Sequence, residues 1–175
     1  MKIRNFYTGA IFGAALFSAA AFLPVDASAA KVQSSASGRV DFTALGGNRM
    51  VDFSVRSIGD ICELRGSDVV GCAGSGHLTY TDDQKNSYSV EVAYVSGQGN
   101  DVWFAGRIFA ASNPDWVGNW LFAQVTDNEK RGVGEDMVSG VFSNEVSSRL
   151  RVAIHNQTGE GPYAISSGDV KVRNK

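Results

Sequence analysis

Arg39-Val40-Asp41-Phe42-Thr43-Ala44, then Gly46-Gly47-Asn48, then Val51-Asp52-Phe53-Ser54-Val55-Arg56, is the stretch on which the fold turns. Val40, Phe42 and Ala44 share one face of the first run. In the second, Val51, Phe53 and Val55 alternate with Asp52, Ser54 and Arg56. Apolar residues at every second position mark a half-buried strand, because successive side chains of a strand point to opposite faces. The glycines between the runs supply the positive φ that a tight hairpin needs. The segment therefore predicts an antiparallel hairpin with one dry and one wet face.

The same rhythm continues toward the C-terminus. Leu78 and Tyr80 alternate with His77, Thr79 and Thr81, and Tyr88, Val90, Val92 and Tyr94 share a face opposite Ser89 and Glu91. Val102 to Phe109 is apolar on both faces, which suits a central strand covered twice or one lining a cavity. Trp120 to Thr126 and Met137 to Phe142 flank an acidic turn. Leu150, Val152 and Ile154 alternate with Arg149, Arg151, Ala153 and His155, and Asp169 to Arg173 is a last short strand. Ser143 to Arg149 holds one helical turn at most. About nine short strands with frequent turns predict an all-β chain, a single antiparallel β-sandwich with jelly-roll or Greek-key pairing.

Upstream of the hairpin the character changes. Lys2 and Arg4 precede the uncharged apolar run Ile11 to Leu23, and Ala27-Ser28-Ala29 is a small-x-small cleavage pattern. Residues 1–29 are expected to be a signal peptide cut before Ala30. Residues 30–37 read as a flexible lead-in and 38–175 as the folded domain. Cleavage leaves 146 of the 175 residues and moves the net charge from −2 to −3. Nucleic acid and anionic membranes are poor partners for such a balance, since both demand a concentrated basic face. No transmembrane span is expected after signal cleavage. Cys62 and Cys72, the two cysteines, predict a disulfide in an exported protein, clasping a local loop between Ile58 and Ser75. Secretion or a periplasmic location follows.

Three ordered stretches resemble the post-COAP type of domain of bacterial secreted and cell-surface proteins. They are Gly38 to Phe42 with Val51 to Val55; Gly76 to Asp82 with Val102 to Gly106; and Val125 to Asn128 with Asp136 and Tyr163 to Val170. The resemblance implies an all-β exported module without an assigned enzymatic activity. It supplies no catalytic residues.

Two stretches could carry a site. Asp127, Asn128, Glu129, Glu135 and Asp136 place several hard oxygen ligands near Gly132 and Gly134, the donor type Ca²⁺ takes. The spacing is not that of an EF-hand, Lys130 and Arg131 intervene, and Asp-Asn is also ordinary turn chemistry. No other cofactor is expected. Asn113, Asp115, Trp116, Asn119 and Trp120 could stack on and hydrogen-bond a sugar, or pack into the core. His77 and His155 lie on polar strand faces, far apart in sequence, and the sequence carries no G-x-S-x-G elbow or other nucleophile signature, so exposed histidines are expected. The expected function is a non-enzymatic binding or structural module meeting an envelope protein or glycan. The alternatives are a small-ligand carrier built as an up-and-down barrel and, further off, a hydrolase.

Overall fold

The computed structural model describes residues 33–58, 62–66, 68–128, 134–139, 142–143, 145–154 and 161–175. The expected signal peptide and the start of the lead-in lie outside them. Strands β1 (Ser34–Ala44) and β2 (Gly47–Ser57) form the predicted hairpin. β1 begins at Ser34, inside the stretch expected to be a lead-in, because β2 and the last strand pair with it from both sides. A small separate hairpin follows, β3 (Glu63–Arg65) with β4 (Asp68–Val70). Then come β5 (Ala73–Asp82), β6 (Ser87–Gln98), β7 (Asp101–Ala111), β8 (Trp120–Thr126), β9 (Met137–Val138) and β10 (Phe142–Ser143). Helix α1 (Glu145–Ile154) and β11 (Tyr163–Asn174) complete the chain.

The expected sandwich does not form. β9 bonds both β11 and β8, so the order β8-β7-β6-β5-β2-β1-β11-β9 returns to β8, an eight-stranded antiparallel barrel. β10 adds to β8 alone. A sandwich requires the chain to cross between two sheets, whereas here nearly every long strand pairs with its sequence neighbours. Curvature comes from positions that turn backbone against backbone. Gly76 (φ 145°) and Gly168 (φ 98°) sit on the inner face of β5 and β11, where a Cβ would collide with the carbonyl of Ser54 or Arg39. Glycine in a strand interior commonly marks such a bend.

The barrel closes through a narrow seam. β9 contributes two residues to β11, pairing Val138 with Tyr163 and Met137 with Ala164. Beyond them, side chains replace a strand. Asp136 Oδ2 accepts the Val170 N–H at 3.0 Å, Asp127 Oδ2 accepts the Val172 N–H at 3.0 Å, and the Asn174 amide donates to the carbonyls of Gly99 and Asp101. Buried backbone donors need such partners.

Two cores result. Inside the barrel lie Val40, Val51, Phe53, Leu78, Phe104, Val125 and Val170 among others, with the Phe53 and Phe104 rings stacked at 5.9 Å. Outside it, α1 covers β7 and β8, so that Val152 meets Trp103, Ala105 and Phe122 beside Cys62 and Cys72. This second core explains why β7 is apolar on both faces. The two cysteines are disulfide-bonded, their Cα atoms 4.3 Å apart, and hold the β3–β4 excursion against that outer layer. α1 corrects the strand expected over Arg149 to His155. Ser148 and Val152, one helical turn apart and both fully buried, form the packing stripe. The alternation of Leu150, Val152 and Ile154 mimics a strand by coincidence. Among the described residues no helix is long and apolar enough to cross a membrane.

Candidate binding surfaces

The tryptophan loop does not make one site. Asn113 caps a 3₁₀ turn, Pro114–Trp116, its Oδ1 accepting the Asp115 N–H at 3.0 Å, and Asn119 donates to the Asp115 carbonyl. Trp116 then turns inward at the mouth of the barrel, its ring edge-on to Tyr88 at 6.0 Å. Trp120, the first residue of β8, points outward, tilted against Tyr94 at 5.4 Å and under the Arg107 guanidinium. The strand boundary between the two rings sends them to opposite sides of the barrel wall.

The acidic turn supplies the seam. Asp136 also accepts the Asn128 N–H at 2.8 Å, and the Asn128 amide binds the Glu135 carbonyl and the Asn100 side chain. The carboxylates of Asp127 and Asp136 are thus engaged with backbone N–H groups. Glu129 lies outside the described residues. Among those described, no group of three or more His, Cys, Asp or Glu side chains is placed to hold a metal.

The mouth holds an aromatic cup the sequence did not announce. Tyr80 and Tyr88 stack at 4.6 Å and nearly parallel, Trp116 closes one side, and Phe42 stacks on Tyr163 at 5.8 Å. Arg49 lies over Tyr80 and bonds Asp82 at 3.0 Å. Burial pushes the Tyr88 phenol well above the ordinary tyrosine range, and the neighbouring Tyr80 adds to this. Tyr80 is raised for the same main reason, against the pull of Arg49. The Asn86 amide holds the Asp82 carboxyl below its usual range. These groups plug the mouth. Beneath them, the void lined by Leu78, Val90, Phe104 and Leu121 measures about 10 Å³, room for about one water molecule and for no larger ligand.

The roomier concavity is on the outer wall. Cross-strand register aligns Lys171, Ser37, Ser54 and His77 in one row, and Arg173, Ser35, Arg56 and Ser75 in the next. Together they line a groove of about 510 Å³ floored by small side chains. Three fixed cations and one histidine border it, and no carboxylate among the described residues lines it. Arg56 Nε donates to Ser75 Oγ at 3.2 Å, which orients its guanidinium, and Lys171 reaches Asp169 at 3.6 Å. The first row continues to Glu91, so Ser54, His77 and Glu91 stand side by side on adjacent strands. No hydrogen bond joins these three, and Ser54 and His77 are both exposed. His155 lies outside the described residues. The groove escaped sequence reading because its three cations and its histidine sit at positions 56, 171, 173 and 77, and only strand order brings them together.

No protein-family model matches the chain, and no curated protein or solved structure does either.

Proposed function

We propose that the chain is an exported, non-catalytic β-barrel that binds an anionic ligand on its outer wall, in keeping with a post-COAP-like surface module. The observation that carries this is the convergence of Arg56, His77, Lys171 and Arg173 on a groove without carboxylates, in a chain whose net charge is −2. An acidic protein that gathers three fixed cations, Arg56, Lys171 and Arg173, on one concave face presents a local field opposite to its overall one, and such a face attracts anions. The barrel topology is also that of small-ligand carriers. The packed Phe53–Phe104 stack and the mouth plug favour the wall over the lumen as the binding surface. The unlinked Ser54, His77 and Glu91 favour binding over hydrolysis.

Retention on a sulfated cellulose column tests the reading. The protein is expected to bind at low salt and elute as salt screens the contact. Arg173→Glu and Arg56→Glu should each abolish retention, while Arg65→Glu, an exposed cation on β3, should not. Equal behaviour of all three variants would overturn the proposal.

A further inference from the structure

Resting on that reading, we infer that the groove holds a phosphate monoester, its doubly charged head gripped between Arg56 and Arg173 above Ser35. Register places both arginines directly opposite Ser35, Arg173 on β11 and Arg56 on β2. Directly opposite side chains have Cβ atoms about 4.5–5.5 Å apart, so about 9–11 Å separates the two arginine Cβ atoms, with the serine midway. An extended arginine is longer than half that gap, so one anion over Ser35 lies within reach of both. Lys171 stands on the same face, opposite Ser37, about 6.7 Å along β11 from Arg173. Two rows along the wall, Asp169 and Asp52 flank Arg39, a cation between two acids. In the row of Ser35 two cations flank a serine, which carries no charge to offset them. No acidic side chain among the described residues pairs with either arginine, whereas Arg49 and Arg65 each have one. A bound anion at the middle position relieves the repulsion between the two.

The donors decide the class of anion. Arg56 gives its Nε–H to Ser75 Oγ at 3.2 Å, and its two Nη groups remain as donors. The Arg173 fork, the Lys171 ammonium and the hydroxyls of Ser35 and Ser37 add to them from the neighbouring strands. A carboxylate has two oxygens in one plane, and a single bidentate arginine fills them. A phosphate monoester has three terminal oxygens in tetrahedral directions, enough for two guanidiniums and a hydroxyl together. Its charge fits as well. Lys171 divides its field with Asp169 at 3.6 Å, so the two arginines supply two undivided positive charges. A phosphate monoester answers with two negative ones above its second pKa of about 6. The groove, at about 510 Å³, is larger than one anion. Toward β5 it is lined by Ser54, Ser75 and His77, polar groups that suit a hydroxyl-bearing remainder such as a sugar ring.

Titration calorimetry with the full chain at a pH of about 8, where the phosphate ester is fully doubly charged, provides the test. The probes are glucose 6-phosphate, glucose 6-sulfate and glucuronate, which carry different anions on the same ring. The phosphate is expected to bind about tenfold or more tightly than either singly charged probe. Arg56→Gln and Arg173→Gln should each weaken it about fivefold or more, while Arg65→Gln leaves it unchanged. The double variant should lose less than the product of the single losses, because residues that share one partner couple. Unchanged far-ultraviolet spectra would show that the variants fold. Equal affinity for the three probes would overturn the phosphate assignment and leave the anion groove standing. Single losses that simply multiply would put the arginines on separate anions and overturn the shared grip. Inorganic phosphate competing as tightly as the sugar phosphate would strike the sugar-like remainder. If no probe binds while the sulfated column retains the protein, this inference alone falls; if the column fails too, the groove reading falls with it.

Discussion

Leu45 occupies a position that disfavours it. It is the first central residue of the β1–β2 turn, with φ at 52°, followed by Gly46 at 77°. Positive φ at both central residues is the geometry whose twist matches a hairpin, and Asn-Gly or Gly-Gly satisfies it best. A leucine there meets the steric penalty of left-handed backbone, and its side chain recovers little, being 76% exposed. Leu45→Asn should therefore stabilise the barrel by roughly 1 kcal/mol. Urea unfolding checks this: the midpoint should rise with an unchanged slope. A lowered midpoint would mean that the exposed leucine makes a contact worth more than the strain. Sequence reading placed the positive φ on Gly46-Gly47-Asn48, one residue late. It looked for glycine, and the chain spends one turn position on leucine.

At the level of elements, the acidic turn and α1 show where period and composition stop being informative. Asp127 and Asp136 are buried, and their carboxylates stand in for a neighbouring strand along β11. Asp136 satisfies the Val170 and Asn128 N–H groups at once, so Asp136→Ala would orphan both. Hydrogen bonds to charged groups contribute about 1.5–3 kcal/mol each, so losing two costs roughly 3–6 kcal/mol. Amide exchange should localise it. Val170 and Val172 should lose protection before Leu78 or Val51, whose strands are paired on both sides. Uniform loss across the barrel would mean that the seam is no weaker than the rest. In sequence, the same aspartates look like ligands for a hard cation, because oxygen donors near glycines serve a metal and a backbone N–H equally well. Only the partner distinguishes the two uses, and it lies 34 residues away for Asp136. The misread strand at Arg149 to His155 has a similar origin. Ten residues with Leu150, Val152 and Ile154 fit a strand by parity, while Ser148 and Val152 fit a helix by turn. Packing of Val152 against Phe122 and the disulfide settles the matter.

For the whole molecule, alternation specified that one face of each strand is dry; β7 and β8, which α1 covers from outside, are buried on both faces, and β6 breaks the alternation at its bulge. Alternation is silent about what faces the dry side. A sandwich buries it against a second sheet, a barrel against itself, and the residues required are the same. The deciding features are few: the inner-face glycines at 76 and 168, the two-residue strand β9, and carboxylates at the seam. An eight-stranded barrel has an interior just wide enough for side chains to fill or for one small ligand to occupy. In this chain the aromatic pair Phe53 and Phe104 occupies it, with their rings 5.9 Å apart. Phe104→Ala should hollow the centre, at a cost of about 3–5 kcal/mol. An apolar cavity of that kind stays dry and admits benzene or xenon, so benzene should raise the melting temperature of Phe104→Ala and leave that of the unaltered protein unchanged. The groove residues lie on the other side of the wall, so the same variant should still be retained by the sulfated column. Should benzene stabilise the unaltered barrel as well, the lumen would already be a binding site, and the outer wall would lose its claim to be the principal one.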